Sequence, residues 1–147
     1  MSLLSFTHRP VSTIDLSSSV AEAARRMCQH GVGALVIVDA SDGLPVGVFT
    51  DRDIVAMIAD GKHPQEATVA QFPHAPLHVI SMRESFDDAL AKMRQHGVRR
   101  LPIVDEHGKL CGLVALDDLL VLLGNEMADV AATITGEIDR ESMVQRH

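Results

Sequence analysis

Residues 20–39, VAEAARRMCQHGVGALVIVD, return at an offset of 66 as residues 86–105, FDDALAKMRQHGVRRLPIVD. Ten of these 20 aligned positions are identical, among them Ala23/Ala89, Met27/Met93, Leu35/Leu101, residues 29–32 against 95–98 and residues 37–39 against 103–105. Working outward, the same offset pairs Pro10 with Pro76 and Ile14 with Ile80. One residue is then lost in a turn, so Gly47 aligns with Gly112, and Asp53 with Asp118, at an offset of 65. Similarity this dense at a fixed period marks a tandem duplication of a unit of about 60 residues.

Each copy can be read for local structure. Ser19 with Glu22, and Ser85 with Asp88, have the spacing of a capping box at a helix start. Val20, Ala23, Ala24 and Met27 recur at helical spacing, as do Phe86, Ala89, Leu90 and Met93. Gly31 and Gly97 stand where a helix ends in a left-handed residue, with His30 and His96 in the last turn as further caps. The near-continuous apolar runs ALVIVD and RLPIVD predict short strands. The turns ASDGLP and EHGK lead to second strands, VGVFT and LCGLVA, and then to second helices over residues 52–59 and 116–123. Each unit orders as β-α-β-β-α, a mixed α/β (α+β) arrangement. One such unit buries little surface alone, so two packed through their sheets about a pseudo-twofold axis are expected. After Gly124, Met127, Val130, Ala131 and Ile134 are spaced for a separate amphipathic C-terminal helix, with a solvated tail behind it. The organisation expected is a first repeat over 7–61, a second over 74–124, and a helix and tail over 125–147.

Composition narrows the function. Thirteen Lys and Arg against 20 Asp and Glu leave a net charge of −7. No half of the chain is basic, which argues against a nucleic-acid partner. With four Phe and no Tyr or Trp, the core must be aliphatic, filled in part by Met27, Met57 and Met93. Neither an apolar run of membrane-spanning length nor a signal-like N-terminus stands out, so a cytoplasmic protein without a membrane partner is expected. Cys28 and Cys111 lie in apolar-periodic segments and read as reduced, buried residues. His74 and His78 are separated by Pro76, and no Cys/His/Asp/Glu group has metal-ligand spacing. No nucleophile–base constellation is visible, so an enzyme is not expected.

Four features together resemble the CBS-domain family, as a stand-alone tandem pair: P-V-x-x-I from Pro10; the G-V-x-x-L-x-I-V-D block in both copies; G-V-F-T-D-R-D from Gly47 to Asp53; and the spacing between them. The resemblance covers roughly residues 7–124. It implies a regulatory module binding an adenosine nucleotide (AMP, ADP or ATP) between paired repeats, and association into a homodimer. It places Thr50 and Asp53 at a ribose, with Gly47 where backbone approaches the base and Arg52 near phosphate. Thr50-x-x-Asp53 is equally a capping box, so both readings stand. In the second copy Ala115 replaces the hydroxyl while Asp118 remains, so one competent cleft and one altered cleft are expected. Arg99 and Arg100, where the first copy has Gly33 and Ala34, are either phosphate contacts or solvated surface. Adjacent strand residues face opposite sides, so at most one is expected to face a given cleft. The alternative is an oligomerising module with no physiological ligand. Ile54, Val55 and Ile58 in one second helix and Leu119, Leu120, Val121 and Leu123 in the other are more apolar surface than one sheet can cover, which favours a homodimer under either reading.

Overall fold

A computed structural model describes residues 3–7, 10–72 and 74–145; residues 146 and 147, the end of the expected tail, lie outside it. The first repeat runs β1 (Thr13–Asp15), α1 (Val20–His30), β2 (Ala34–Val38), β3 (Pro45–Thr50) and α2 (Asp51–Ala59). The second runs β4 (Ile80–Ser81), α3 (Phe86–His96), β5 (Arg100–Val104), β6 (Leu110–Ala115) and α4 (Leu116–Gln145). Each builds a three-stranded sheet whose first strand lies parallel to the second and whose second and third are antiparallel. Both antiparallel pairs slip register at equivalent places, between Ile37 and Val38 and between Ile103 and Val104.

The boundaries follow from local chemistry. Gly31 and Gly97 end α1 and α3 at φ 63° and 64°, a conformation that only glycine adopts cheaply. At the start of α3 the box is reciprocal: the Asp88 N–H donates to Ser85 Oγ at 3.2 Å and the Ser85 N–H donates to Asp88 Oδ2 at 2.8 Å. The Ser85 N–H, followed by its hydroxyl, holds the Asp88 carboxyl below the usual range. At α1 only half the box forms, because Glu22 turns to Arg25 and Arg26. His30 and His96 do not cap. The ring of His30 meets Ser12 Oγ at 2.7 Å, and His96 stacks on His78 with centroids 3.7 Å apart. The cysteines also differ from expectation. Cys28 is exposed, one residue round the helix from the buried stripe of Val20, Ala23 and Met27, and Cys111 is half-buried.

Two aliphatic clusters form, one inside each α-β layer. Met27 and Met57 fill the first and Met93 the second. Val36 and Pro102 sit on the opposite strand faces and are buried as well, which is where the two sheets meet.

The segment leading into each repeat does not pack on that repeat. Residues 67–72 precede the second repeat, yet they bond along the first: the Val20 N–H donates to the Ala67 carbonyl and the Val69 N–H to that of Ser18, both at 2.9 Å. Val69 lies in the first core, and Phe72 sets its ring edge-on to Phe49 at 5.5 Å. Conversely the turn Leu3–Phe6 precedes the first repeat, and Leu3, 2% exposed, lies in the second core.

The last helix is the other departure. The helix expected to stop at residue 123 continues unbroken for 30 residues. Gly124 has no left-handed φ, and an interior glycine costs a helix only about 1 kcal/mol. Joined in this way, α4 is long and apolar enough to cross a membrane by length and composition. Seven of its apolar residues, Leu116, Leu120, Leu123, Met127, Val130, Ile134 and Ile138, follow at spacings of three or four along one face, while Val121, Met143 and Val144 are exposed on others.

Candidate functional site

Two of the clefts between the repeats are related by the same offsets as the sequences. The first encloses about 670 Å³. The first repeat contributes Pro10, Val11, Ser12 and residues 30–34; the second contributes Arg100, Leu113, Ala115, Asp117 and Asp118. The second encloses about 280 Å³ between Val48 of the first repeat and residues 75–78 and 98–100 of the second. The offsets equate Pro76 with Pro10, Val98 with Val32 and Val48 with Leu113. The matching walls differ: Gly33 and Ala34 line the first cleft where Arg99 and Arg100 line the second. Both arginines line it, because β5 begins only at Arg100 and strand alternation does not yet govern Arg99.

The strand–helix junctions place the candidate carboxylates. Asp53 Oδ2 accepts the Thr50 N–H at 2.8 Å and the Thr50 hydroxyl at 3.0 Å, while the Asp53 N–H donates to Thr50 Oγ1 at 3.3 Å. The capping box is therefore complete. The Asp118 carboxylate repeats the backbone half of it, accepting the Ala115 N–H at 3.2 Å. Each carboxylate stands in the first turn of its helix, where unpaired N–H groups and the helix dipole favour anions. Asp118 lines the larger cavity; Thr50, Arg52 and Asp53 do not line the walls of the smaller one.

The other candidates separate. At Gly47 the space a Cβ would take is filled by Ile37 Cδ1 at 3.2 Å and by His74. The close approach there is to protein, as at Gly112, which faces Thr7, Ile103 and Leu4. Arg99 pairs with Asp117 at 3.1 Å across an exposed surface. Arg52 is exposed and donates its backbone N–H to Asp51. Among the described residues no carboxylate or carbonyl engages the guanidinium of Arg52 or Arg100. From sequence, Gly33 and Ala34 stand out only as counterparts of Arg99 and Arg100, and Ser12 and Leu113 not at all. Their signal was the offset itself, which sets each opposite a residue of the second cleft. Among the described residues no group of three His, Cys, Asp or Glu is placed to hold a metal.

Known proteins share this architecture. The sequence profile of the CBS domain matches residues 4–60 and again 69–125. The CBS domain-containing protein YhcV of Bacillus subtilis is 38% identical over 124 residues, covering 84% of this chain and 86% of its own. An uncharacterized protein of Methanopyrus kandleri is 36% identical over 113 residues, 76% of this chain, which spans only 57% of that relative's length. Among solved structures, the CBS pair of protein MJ0100, in complex with 5′-methylthioadenosine and S-adenosyl-L-methionine, superposes with a TM-score of 0.75 at 25% identity, covering 86% of this chain and 98% of its own. The CBS domain protein PAE2072 from Pyrobaculum aerophilum, complexed with AMP, gives 0.74 at 20% identity, over 85% of this chain and 99% of its own, a likeness of fold. Two consecutive matches to one domain, on two sheets related by the same repeat, make this chain a member of the CBS-domain family, carrying the domain as a tandem pair.

Proposed function

We propose that the chain is a regulatory module that takes an adenosine nucleotide, AMP, ADP or ATP, between its repeats. The first cleft carries the reading: about 670 Å³ lies within the range of small-molecule sites, and Asp118 and Arg100 line it together. A carboxylate accepts two hydroxyls at once and suits a ribose diol; a guanidinium fork suits phosphate. Pro10, Val11, Val32 and Leu113 supply apolar wall for a base. Support comes from the AMP of PAE2072 and the adenosyl ligands of MJ0100. Arg99 lines the second, narrower cleft; Thr50, Arg52 and Asp53 stand outside its walls, at the strand–helix junction equivalent to that of Ala115 and Asp118, and His74 packs against Gly47.

Thermal denaturation with AMP, ADP, ATP, S-adenosylmethionine, NAD and a cyclic dinucleotide tests the reading, followed by dye or calorimetry because Tyr and Trp are absent. A ligand at 100 times its Kd should add about 2.7 kcal/mol. Stabilisation by none of them favours the alternative, an interaction module without a ligand, and no catalytic role is proposed under either.

Assembly belongs to the same proposal. Val55 and Ile58 on α2 are 65% and 56% exposed, and an offset of 65 equates them with Leu120 and Leu123 on α4, 57% and 42% exposed. Matched apolar faces on both repeats suit a second copy across a closed twofold. Light scattering should give twice the chain mass of 15.9 kDa. A monomer at micromolar concentration would sink the dimer and leave the ligand reading intact.

A further inference from the structure

Arg100 has a place that no other described residue shares: it lines both clefts. It opens β5 beside Ala115, whereas the matching position of the first repeat is Ala34. The pseudo-twofold thus supplies two clefts with one arginine between them. Its side chain is exposed and engages no partner among the described residues, unlike Arg99, which Asp117 holds at 3.1 Å. A guanidinium stays protonated and offers its donors in a planar fork fitted to phosphate.

We infer that Arg100 is a phosphate clamp shared by the two clefts, and that it couples them negatively: a nucleotide phosphate engaging it in one cleft withdraws it from the other. This rests on the nucleotide reading above. One positive charge does not neutralise two phosphates, and a second anion brought to the same arginine meets the charge of the first. Coupling of this kind is reciprocal and commonly about 5–150-fold. The module then fills in two steps, one cleft at low nucleotide concentration and the other at a much higher one, so it responds over a wider range than a single site. Adenosine, which carries no phosphate, fills the clefts at affinities set by their walls alone.

Calorimetric titration of the full chain with AMP and with adenosine tests this. The two AMP affinities should stand about 5–150-fold further apart than the two adenosine affinities. Arg100→Ala should weaken the first AMP by roughly 10–150-fold, the loss of charge-assisted hydrogen bonds, and leave the second nearly unchanged. Adenosine binding and the melting midpoint should not move, since Arg100 is exposed at a strand end. Arg100→Gln, which keeps most of the side chain, should behave likewise. Equal weakening of both AMP sites, adenosine weakened as much as AMP, or only one AMP bound at saturation overturns the sharing and leaves the nucleotide reading in place. Absence of any AMP binding overturns both.

Discussion

Replacing Leu3 with alanine should cost about 2–5 kcal/mol of folding stability, as much as a substitution at the centre of either sheet. Leu3 belongs to a single turn ahead of the first repeat, yet it is 2% exposed in the core of the second, with Ile80, Leu101, Val114 and Leu119. Truncation there leaves a cavity between elements that neither repeat can close by itself. Urea denaturation followed by circular dichroism measures the cost. Val144→Ala on the exposed end of α4, 77% accessible, serves as the control and should lie within about 0.5 kcal/mol of wild type. If Leu3→Ala is as neutral as the control, the leading turn does not dock on the second repeat in solution.

The second large effect separates the two clefts. Asp118→Ala should lower AMP affinity by roughly 10–150-fold if its carboxylate holds a ribose in the larger cavity. Asp53→Ala removes a complete capping box, so a stability cost of about 0.5–2 kcal/mol accompanies any change in affinity. Asn at each position keeps hydrogen-bonding capacity but loses the charge, which spares the fold while still weakening a diol contact. Affinity and melting midpoint are measured on the same proteins. A tight AMP site untouched by either alanine would remove both carboxylates from ligand binding and leave them as helix caps.

The repeat made most of the fold legible. Glycines at 31 and 97, serines at 19 and 85, and apolar periods of two kinds specify a β-α-β-β-α unit twice, because caps and periodicity are local physics. The exchange of leading segments was harder to see. Leu3 aligns with Val69 and Phe6 with Phe72 at the offset of 66, so the elements were visible, but nothing local says which sheet they join. The clefts inverted expectation for a similar reason. Thr50 with Asp53 is the fuller motif, whereas the larger cavity takes its walls from residues far apart in the chain, residues 10–12 and 30–34 of one repeat with Arg100, Leu113 and Ala115 of the other. The single long α4 escaped because the apolar spacings before and after Gly124 each resemble a helix of ordinary length, although nothing around Gly124 requires a break.

The exchange of leading segments bears on how such a chain arises. Cut between the repeats, the first half would lose Val69 and Phe72 from its own core and the second would lose Leu3. A lone copy of the unit therefore carries a strap that it cannot use on itself. Two identical copies would complete each other by trading straps, which is domain swapping with a closed twofold. The tandem chain has the arrangement of such a swapped pair with the two copies joined, and once joined, the straps no longer have to match. The covalent link thereby lets the two halves differ, as Arg99 and Arg100 of one differ from Gly33 and Ala34 of the other.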